Sequence, residues 1–308
     1  MHGILLVDKP EGVTSNEVVR LVKAQVKPAK VGHSGTLDPA ASGLMVILVG
    51  AGTRTLDYLD ENRKCYHMII RLGEETDTAD REGRVISTTD ASGIGTEQIE
   101  VVLRDHTGVL DQIPPHFSAI KKGGVPLYKL ARKGIFPDLA PRKVEIFSLM
   151  LKKWEHPFLE LVMTCSRGTY ARALARDVGR DLNVGGRLES LRRTESGRFV
   201  LDDSVHMDEI GQGGAGFIRD HLMGIPEALT HISDFQALPG EVRKLMRGSH
   251  VILPRSRFAA TGTVPDEIPR LYKIVSGKGG LVILVRPEPR GAELAIRPIK
   301  VFNTWQEE

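Results

Sequence analysis

The run Val31-Gly-His-Ser-Gly-Thr-Leu-Asp38-Pro-Ala-Ala-Ser-Gly43 sets one carboxylate in a Gly-rich turn, with the His33 imidazole five residues before it. A carboxylate presented in this way can serve as a nucleophile. Pro39 fixes φ directly after the acid, while Gly32, Gly35 and Gly43 permit sharp bends and close approach of a ligand to the main chain. The apolar run Leu44-Met-Val-Ile-Leu-Val49 follows at strand length, so the loop is expected to be anchored on a buried sheet element. No second carboxylate is paired with Asp38, and neither cysteine sits near a thiol or His pair at metal-ligand spacing. The chemistry to expect is that of a single carboxylate working without metal or cofactor.

Four other segments carry residues of the same kind. Gly3-Ile-Leu-Leu-Val-Asp-Lys9-Pro10-Glu-Gly12-Val-Thr14-Ser15 reads as a strand, a Lys-Pro turn and a Thr/Ser cap for a helix over residues 16–26. Lys64-Cys65-Tyr66 leads into a strand over residues 67–73 and then a turn, Thr76-Asp77-Thr78-Ala79-Asp80. Cys165-Ser166-Arg167-Gly168-Thr169-Tyr170-Ala171-Arg172 reads as the entry to a helix running toward Leu182. Leu188-Glu-Ser-Leu191-Arg192-Arg193 reads as a late strand ending at Gly197.

In this order, over residues 3–198, the segments resemble the TruB family of pseudouridine synthases, with its KPxGxTS, GHxGTLDPxAxG, KxY, TDTxD, CSxGTYIR and LxRxxxG elements. The resemblance implies an α+β pseudouridine synthase fold, a mixed and largely antiparallel sheet flanked by helices. It implies Asp38 as nucleophile, Tyr66 as the active-site tyrosine and Arg172 as the partner of Asp38. Tyr170 and Leu191 match residues of the base pocket, and His33 and Lys9 are carried over as substrate contacts. The chain departs from the family at Phe117, where PxYSAxK usually has Tyr, and at Ala171, where a larger aliphatic is common.

The implied reaction cleaves the C–N glycosidic bond of a uridine, turns the uracil, and joins C5 to the same sugar carbon. Glycosidases that admit water need two carboxylates. An isomerase that keeps its detached base needs one, and the motif supplies one. The target base must leave its stack before Asp38 can reach it, so base flipping is expected, with Tyr66 and Tyr170 as π surfaces and His33 near the vacated space. Tyr66 is the candidate for removing the C5 proton.

These groups need a large frame. At 308 residues and 41% hydrophobic, the chain can bury a sizeable core and is expected to form two domains, a catalytic unit over 1–229 and a small β-barrel-like, PUA-like RNA-binding unit over 230–308. Strands are expected at 235–238, 248–253, 271–275, 280–285 and 293–301, with a Gly-rich linker around 211–224. The apolar runs are too short to span a membrane, and residues 4–7 are too short for a signal h-region, so a cytoplasmic setting is expected.

Net charge is only +3, but residues 118–153 hold nine basic against two acidic side chains. This stretch contains Lys121, Lys122, Lys129, Arg132 and Lys133 around a Gly123-Gly124 hinge, and resembles the family's RNA-gripping thumb, taken here as about residues 117–143. The reading is a monomeric tRNA pseudouridine synthase acting on the T-arm uridine at position 55. Its alternatives are a guide-RNA-dependent, dyskerin-like synthase, which lacks such a thumb, and a non-catalytic tRNA-binding or tRNA-folding protein, which needs no nucleophile.

Overall fold

The computed structural model describes residues 1–118, 120–259, 271–277 and 280–304; Ala119 of the thumb motif and residues 260–270 of the C-terminal unit lie outside it. The chain begins with β1 (Gly3–Lys9), α1 (Ser15–Gln25), β2 (Val31–His33), β3 (Ala41–Val49) and β4 (Arg63–Leu72). A small hairpin, β5 (Glu74–Thr76) with β6 (Val85–Thr88), precedes α2 (Thr96–Asp105) and β7 (Gly108–Gln112). The basic segment forms β8 (Lys121–Lys122), β9 (Val125–Pro126) and α3 (Leu127–Ala131). Next come β10 (Arg142–Glu155), β11 (Phe158–Ser166), α4 (Ala171–Asp181), β12 (Gly186–Ser196), β13 (Phe199–Val200), β14 (Val205–His206), α5 (Met207–Asp220) and α6 (Ile225–Ala228). The last part holds β15 (Ser233–Asp234), α7 (Pro239–Met246), β16 (Val251–Pro254), β17 (Tyr272–Ser276), β18 (Leu281–Arg290) and β19 (Glu293–Asn303).

Ten strands make the main sheet, in the order β14-β1-β3-β12-β4-β11-β10-β7, with β2 paired to β3 and β13 to β12. Only β1–β14 and β3–β12 run parallel, so the sheet is mixed and largely antiparallel. The reason the nucleophile loop has a firm base is visible in β3, all nine residues of which are buried. Because side chains alternate across a strand, Met45, Ile47 and Val49 pack with α1 and α5, while Leu44, Val46 and Leu48 pack with Ile4, Leu6 and Phe199 on the other face. Each such side chain contributes roughly 1.5–3 kcal/mol of burial. A third cluster joins β4, β10 and β11 to α2 and α4 through Met68, Ile146, Leu161, Ile99 and Leu174.

The helix expected over 16–26 is α1, capped by Thr14, whose hydroxyl accepts from the Glu17 amide while Glu17 accepts from the Thr14 amide. The Gly-rich stretch expected to be a linker is instead part of α5. Ile210 and Ile218 are fully buried against the α1 side of the sheet, and this apolar face keeps the segment helical on both sides of a break at Gly214 (φ 62°). The strand expected at 235–238 is also corrected: only Ser233 and Asp234 pair with β17, and Pro239 starts α7 directly after Leu238. The C-terminal unit is a five-stranded sheet in the order β15-β17-β18-β19-β16, and its Val282, Leu284 and Phe302 pack against Ile225, Leu229 and Ile232. No helix among the described residues is long and apolar enough to cross a membrane.

Candidate active site

Asp38 lies in the loop between β2 and β3, and the N-terminal motif is what holds that loop. Ser15, the first residue of α1, donates its hydroxyl to the Leu37 carbonyl at 2.8 Å and accepts from the Leu37 amide at 2.8 Å. The Gly12 amide donates to the Pro39 carbonyl at 2.9 Å, and the Asp38 carbonyl accepts from the Ala41 amide. Main-chain groups on both sides of the acid are therefore fixed, while its side chain stays 48% exposed.

Arg172 sits at the start of α4, only 7% exposed, with its Nη2 3.0 Å from Asp38 Oδ2. The rest of its guanidinium is matched: Nη1 lies 3.4 Å from Asp80 Oδ2 and donates to the Thr78 carbonyl at 3.3 Å, and Nη2 donates to the Phe117 carbonyl at 2.8 Å. Asp80 is itself fixed by the Thr78 hydroxyl at 2.6 Å and the Glu82 amide at 3.1 Å. In the same turn Ala79 adopts φ 60°, a left-handed conformation that costs a β-carbon residue about 1 kcal/mol or more. That turn aims the Thr78 carbonyl and the Asp80 carboxylate at Arg172. Preorganised in this way, the cation meets Asp38 without rearranging.

Behind the loop, β12 runs parallel to β3 and antiparallel to β4, so that Arg193 stands opposite both Gly43 and Tyr66. Gly43 has φ 100°, and a Cβ there would lie 2.3 Å from the Arg193 carbonyl oxygen, so the close approach of these strands needs glycine. Burial pushes the Tyr66 phenol above its ordinary range, and the nearby Arg193 charge pulls it back. Alongside, Lys64 Nζ donates to the Ser196 hydroxyl at 2.5 Å, and Glu61 accepts from Ser34 at 2.6 Å and from Ser196 at 2.7 Å. Burial lowers the Lys64 ammonium, while Glu61 opposes the shift.

A cavity of about 470 Å³ opens between these elements, and Asp38, Tyr66, Tyr170, Arg172 and Leu191 all line it. Tyr170 is rigidly presented, since Gln112 accepts from its amide at 2.8 Å and donates to its carbonyl at 3.2 Å. His33 and Lys9 do not line the cavity. His33 lies on β2 with a buried Nδ1 lacking a hydrogen-bond partner, and burial followed by the Arg193 charge lowers its pKa. Lys9 corrects the expectation of a substrate contact. It is fully buried, its ammonium donating to the carbonyls of Pro10 at 2.8 Å, Val13 at 2.7 Å and Pro39 at 3.4 Å, and burial pulls it down to about 8. Its place is underneath the nucleophile loop.

The basic residues Lys121, Lys122, Lys129, Arg132 and Lys133 are exposed, as a thumb requires. Gly123 (φ 58°) and Gly124 (φ 81°) form the two-residue turn between β8 and β9, the geometry of a type I′ hairpin. Arg132 lies 5.7 Å over the Tyr128 ring. Sequence reasoning assigned no role to Asp80, Gln112 or Arg193. Asp80 and Arg193 stood inside quoted motifs, but Gln112 gave no signal, because its partner is main chain 58 residues away.

The mixed sheet with a cavity beside the Asp38 carboxylate and its Arg172 partner defines a pseudouridine synthase fold, and comparisons with known proteins agree. Residues 23–171 match the family model described as TruB family pseudouridylate synthase (N terminal domain). The tRNA pseudouridine synthase B of Geobacter sulfurreducens is 36% identical over 98% of this chain and 100% of that protein. The protein of the same name from Syntrophotalea carbinolica is 39% identical over 98% of each chain. Among solved structures, a Cbf5-Nop10-Gar1 complex superposes with a TM-score of 0.70 at 22% identity, covering 98% of this chain and 86% of that one. An H/ACA RNP bound to a substrate RNA containing 2'-deoxyuridine gives a TM-score of 0.70 at 20% identity, over 98% and 85% of the two chains. This chain belongs to the TruB family of pseudouridine synthases.

Proposed function

We propose that the protein converts uridine to pseudouridine at position 55 in the T-loop of tRNA, by base flipping and nucleophilic catalysis by Asp38. The observation that carries this is the Asp38–Arg172 pair, 3.0 Å apart, on a cavity that also presents Tyr66, Tyr170 and Leu191. Asp38 attacks as a carboxylate while the uracil, once detached, stays between the tyrosines and Leu191. Because no water enters the bond change, one carboxylate suffices. The uracil then turns, its C5 joins the sugar carbon as the bond to Asp38 breaks and frees the carboxylate, and the Tyr66 phenolate takes the C5 proton. Lys121, Lys122 and Lys133 supply phosphate contacts that hold the T-arm without reading its sequence.

Residues 1–229 form the catalytic unit and residues 230–308 a PUA-like unit that adds RNA-binding surface; the enzyme works in the cytoplasm as a monomer. The decisive experiment maps pseudouridine in tRNA from cells with and without the protein. Loss of the T-arm pseudouridine in its absence supports the assignment, and an unchanged T-arm removes it.

A further inference from the structure

We infer that Arg193 is a positioning residue of the reaction, a buried guanidinium that ties both ends of the nucleophile loop together and holds the Tyr66 oxygen where, as phenolate, it receives the C5 proton. The inference rests on the function proposed above.

Arg193 is only 2% exposed. Its Nε donates to the Leu44 carbonyl at 2.7 Å and its Nη2 to the Gly35 carbonyl at 3.2 Å. Gly35 precedes Asp38 by three residues and Leu44 follows it by six, so one planar fork spans the loop. In register, Arg193 is the direct cross-strand neighbour of Tyr66. Arg172 is flanked by two carboxylates, but among the described residues no carboxylate lies within 4.0 Å of Arg193. A buried cation without a counter-charge is costly. Main-chain carbonyls at Nε and Nη2 offset part of that cost at rest, and the Tyr66 phenolate, when it forms during turnover, has Arg193 beside it as a cationic partner. The charged and titratable groups that face the phenol are Arg193 from β12, Cys165 from β11 and Asp38 from the loop, and of these only Arg193 favours the phenolate.

With uracil joined through C5, the phenolate oxygen takes the C5 proton, and the C5–H pair becomes the C5=C6 bond. The N1=C6 pair moves to N1, which takes up from solvent the proton that the phenol released on ionising, and Tyr66 ends the cycle as the neutral phenol with which it began.

The test follows the ultraviolet phenolate absorbance during alkaline titration. Subtracting the matching Tyr66→Phe protein isolates Tyr66 from the other tyrosines. Arg193→Met, and the neutral but hydrogen-bonding Arg193→Gln should Met not fold, are expected to move the Tyr66 titration to higher pH. The single-turnover rate at neutral pH is expected to drop about 10- to 100-fold, with tRNA affinity within a few-fold of wild type. Arg193→Lys, which keeps the charge, is expected to restore the titration in large part. A Tyr66 titration that does not move overturns the inference, as does an equal loss of rate in the Lys and neutral variants. A wild-type protein that converts no uridine overturns the functional reading instead, so the two failures are distinguishable.

Discussion

Replacing Lys121, Lys122 and Lys133 together by Ala tests whether the basic hairpin grips RNA or is only a solvated surface. All three side chains are exposed, and none is engaged in an ion pair among the described residues. Lys122 is held in place by the Asp138 carbonyl at 2.7 Å, which leaves its charge uncancelled. Each cation that neutralises a phosphate adds roughly 0.7 to 0.9 to the slope of log affinity against log salt, the lower value for single strands and the higher for duplex. Three such contacts amount to about two to three units of slope. Because the residues are exposed, stability is expected to change by no more than about 0.5 kcal/mol for each. The assay measures tRNA binding at four or five salt concentrations for wild type and triple variant, with thermal unfolding recorded alongside. The variant line should be shallower and lower at low salt. Parallel lines would refute phosphate contact by these lysines, and a large fall in melting temperature would show that the segment is structural rather than a grip.

Four further outcomes follow from the site. Asp38→Asn is expected to abolish isomerisation while leaving tRNA affinity within a few-fold, because phosphate contacts dominate binding; near-normal turnover would remove Asp38 as nucleophile. Asp80→Asn keeps the shape of the turn but removes one of the two carboxylates beside Arg172. Its single-turnover rate should fall about 10- to 100-fold, the range for losing a hydrogen bond to a charged group, and an unchanged rate would mean that Asp80 is only a turn residue. Gly43→Ala combines φ strain with a clash against the Arg193 main chain, for about 2–5 kcal/mol of lost stability by denaturant titration, and a loss under 1 kcal/mol would show that the strands yield there. The folded Lys9 ammonium titrates near 8 against an ordinary 10.5, so from pH 8 to 10.5 the unfolded chain holds a proton that the folded chain has released. Wild-type stability should accordingly rise with pH relative to Lys9→Met across that window, and a constant difference would contradict a buried Lys9.

What could be read from the chain is what local rules determine. The Thr14 cap, the buried run of β3 and the Gly43 turn each follow from neighbouring residues, and the structure has them close to where patterning puts them. The Gly-rich stretch in α5 misleads for the opposite reason. Its helical state comes from Ile210 and Ile218 meeting a face built by β1, β3 and α1, an interaction strong enough to override the low helix propensity of glycine. Lys9 misleads because a lysine at the start of a Lys-Pro turn looks solvent-directed, whereas three carbonyl oxygens, one of them 30 residues away, converge on its ammonium. Among the site residues, types and order were legible, but partners were not. Nothing in the spacing says that Arg193, another of the cations lining the cavity, has no carboxylate within 4.0 Å among the described residues.

The Phe117 substitution shows how the main chain can keep a site intact when a side chain changes. A phenylalanine in place of tyrosine loses a hydroxyl, yet the group that Arg172 uses at this position is the Phe117 carbonyl, at 2.8 Å. That bond is indifferent to the side chain, and it connects the base of the basic hairpin to the cation that pairs with Asp38. Just beyond it, the Tyr128 amide donates to the Ser118 carbonyl at 3.0 Å and the Leu127 amide to the Ile120 carbonyl at 2.7 Å, so the hairpin leaves the catalytic unit from a closed, hydrogen-bonded neck. Phe117, at the foot of this neck, is one of the four partners of Arg172. The base of the hairpin and the nucleophile are thus one hydrogen bond and one ion pair apart, both made by the Arg172 guanidinium.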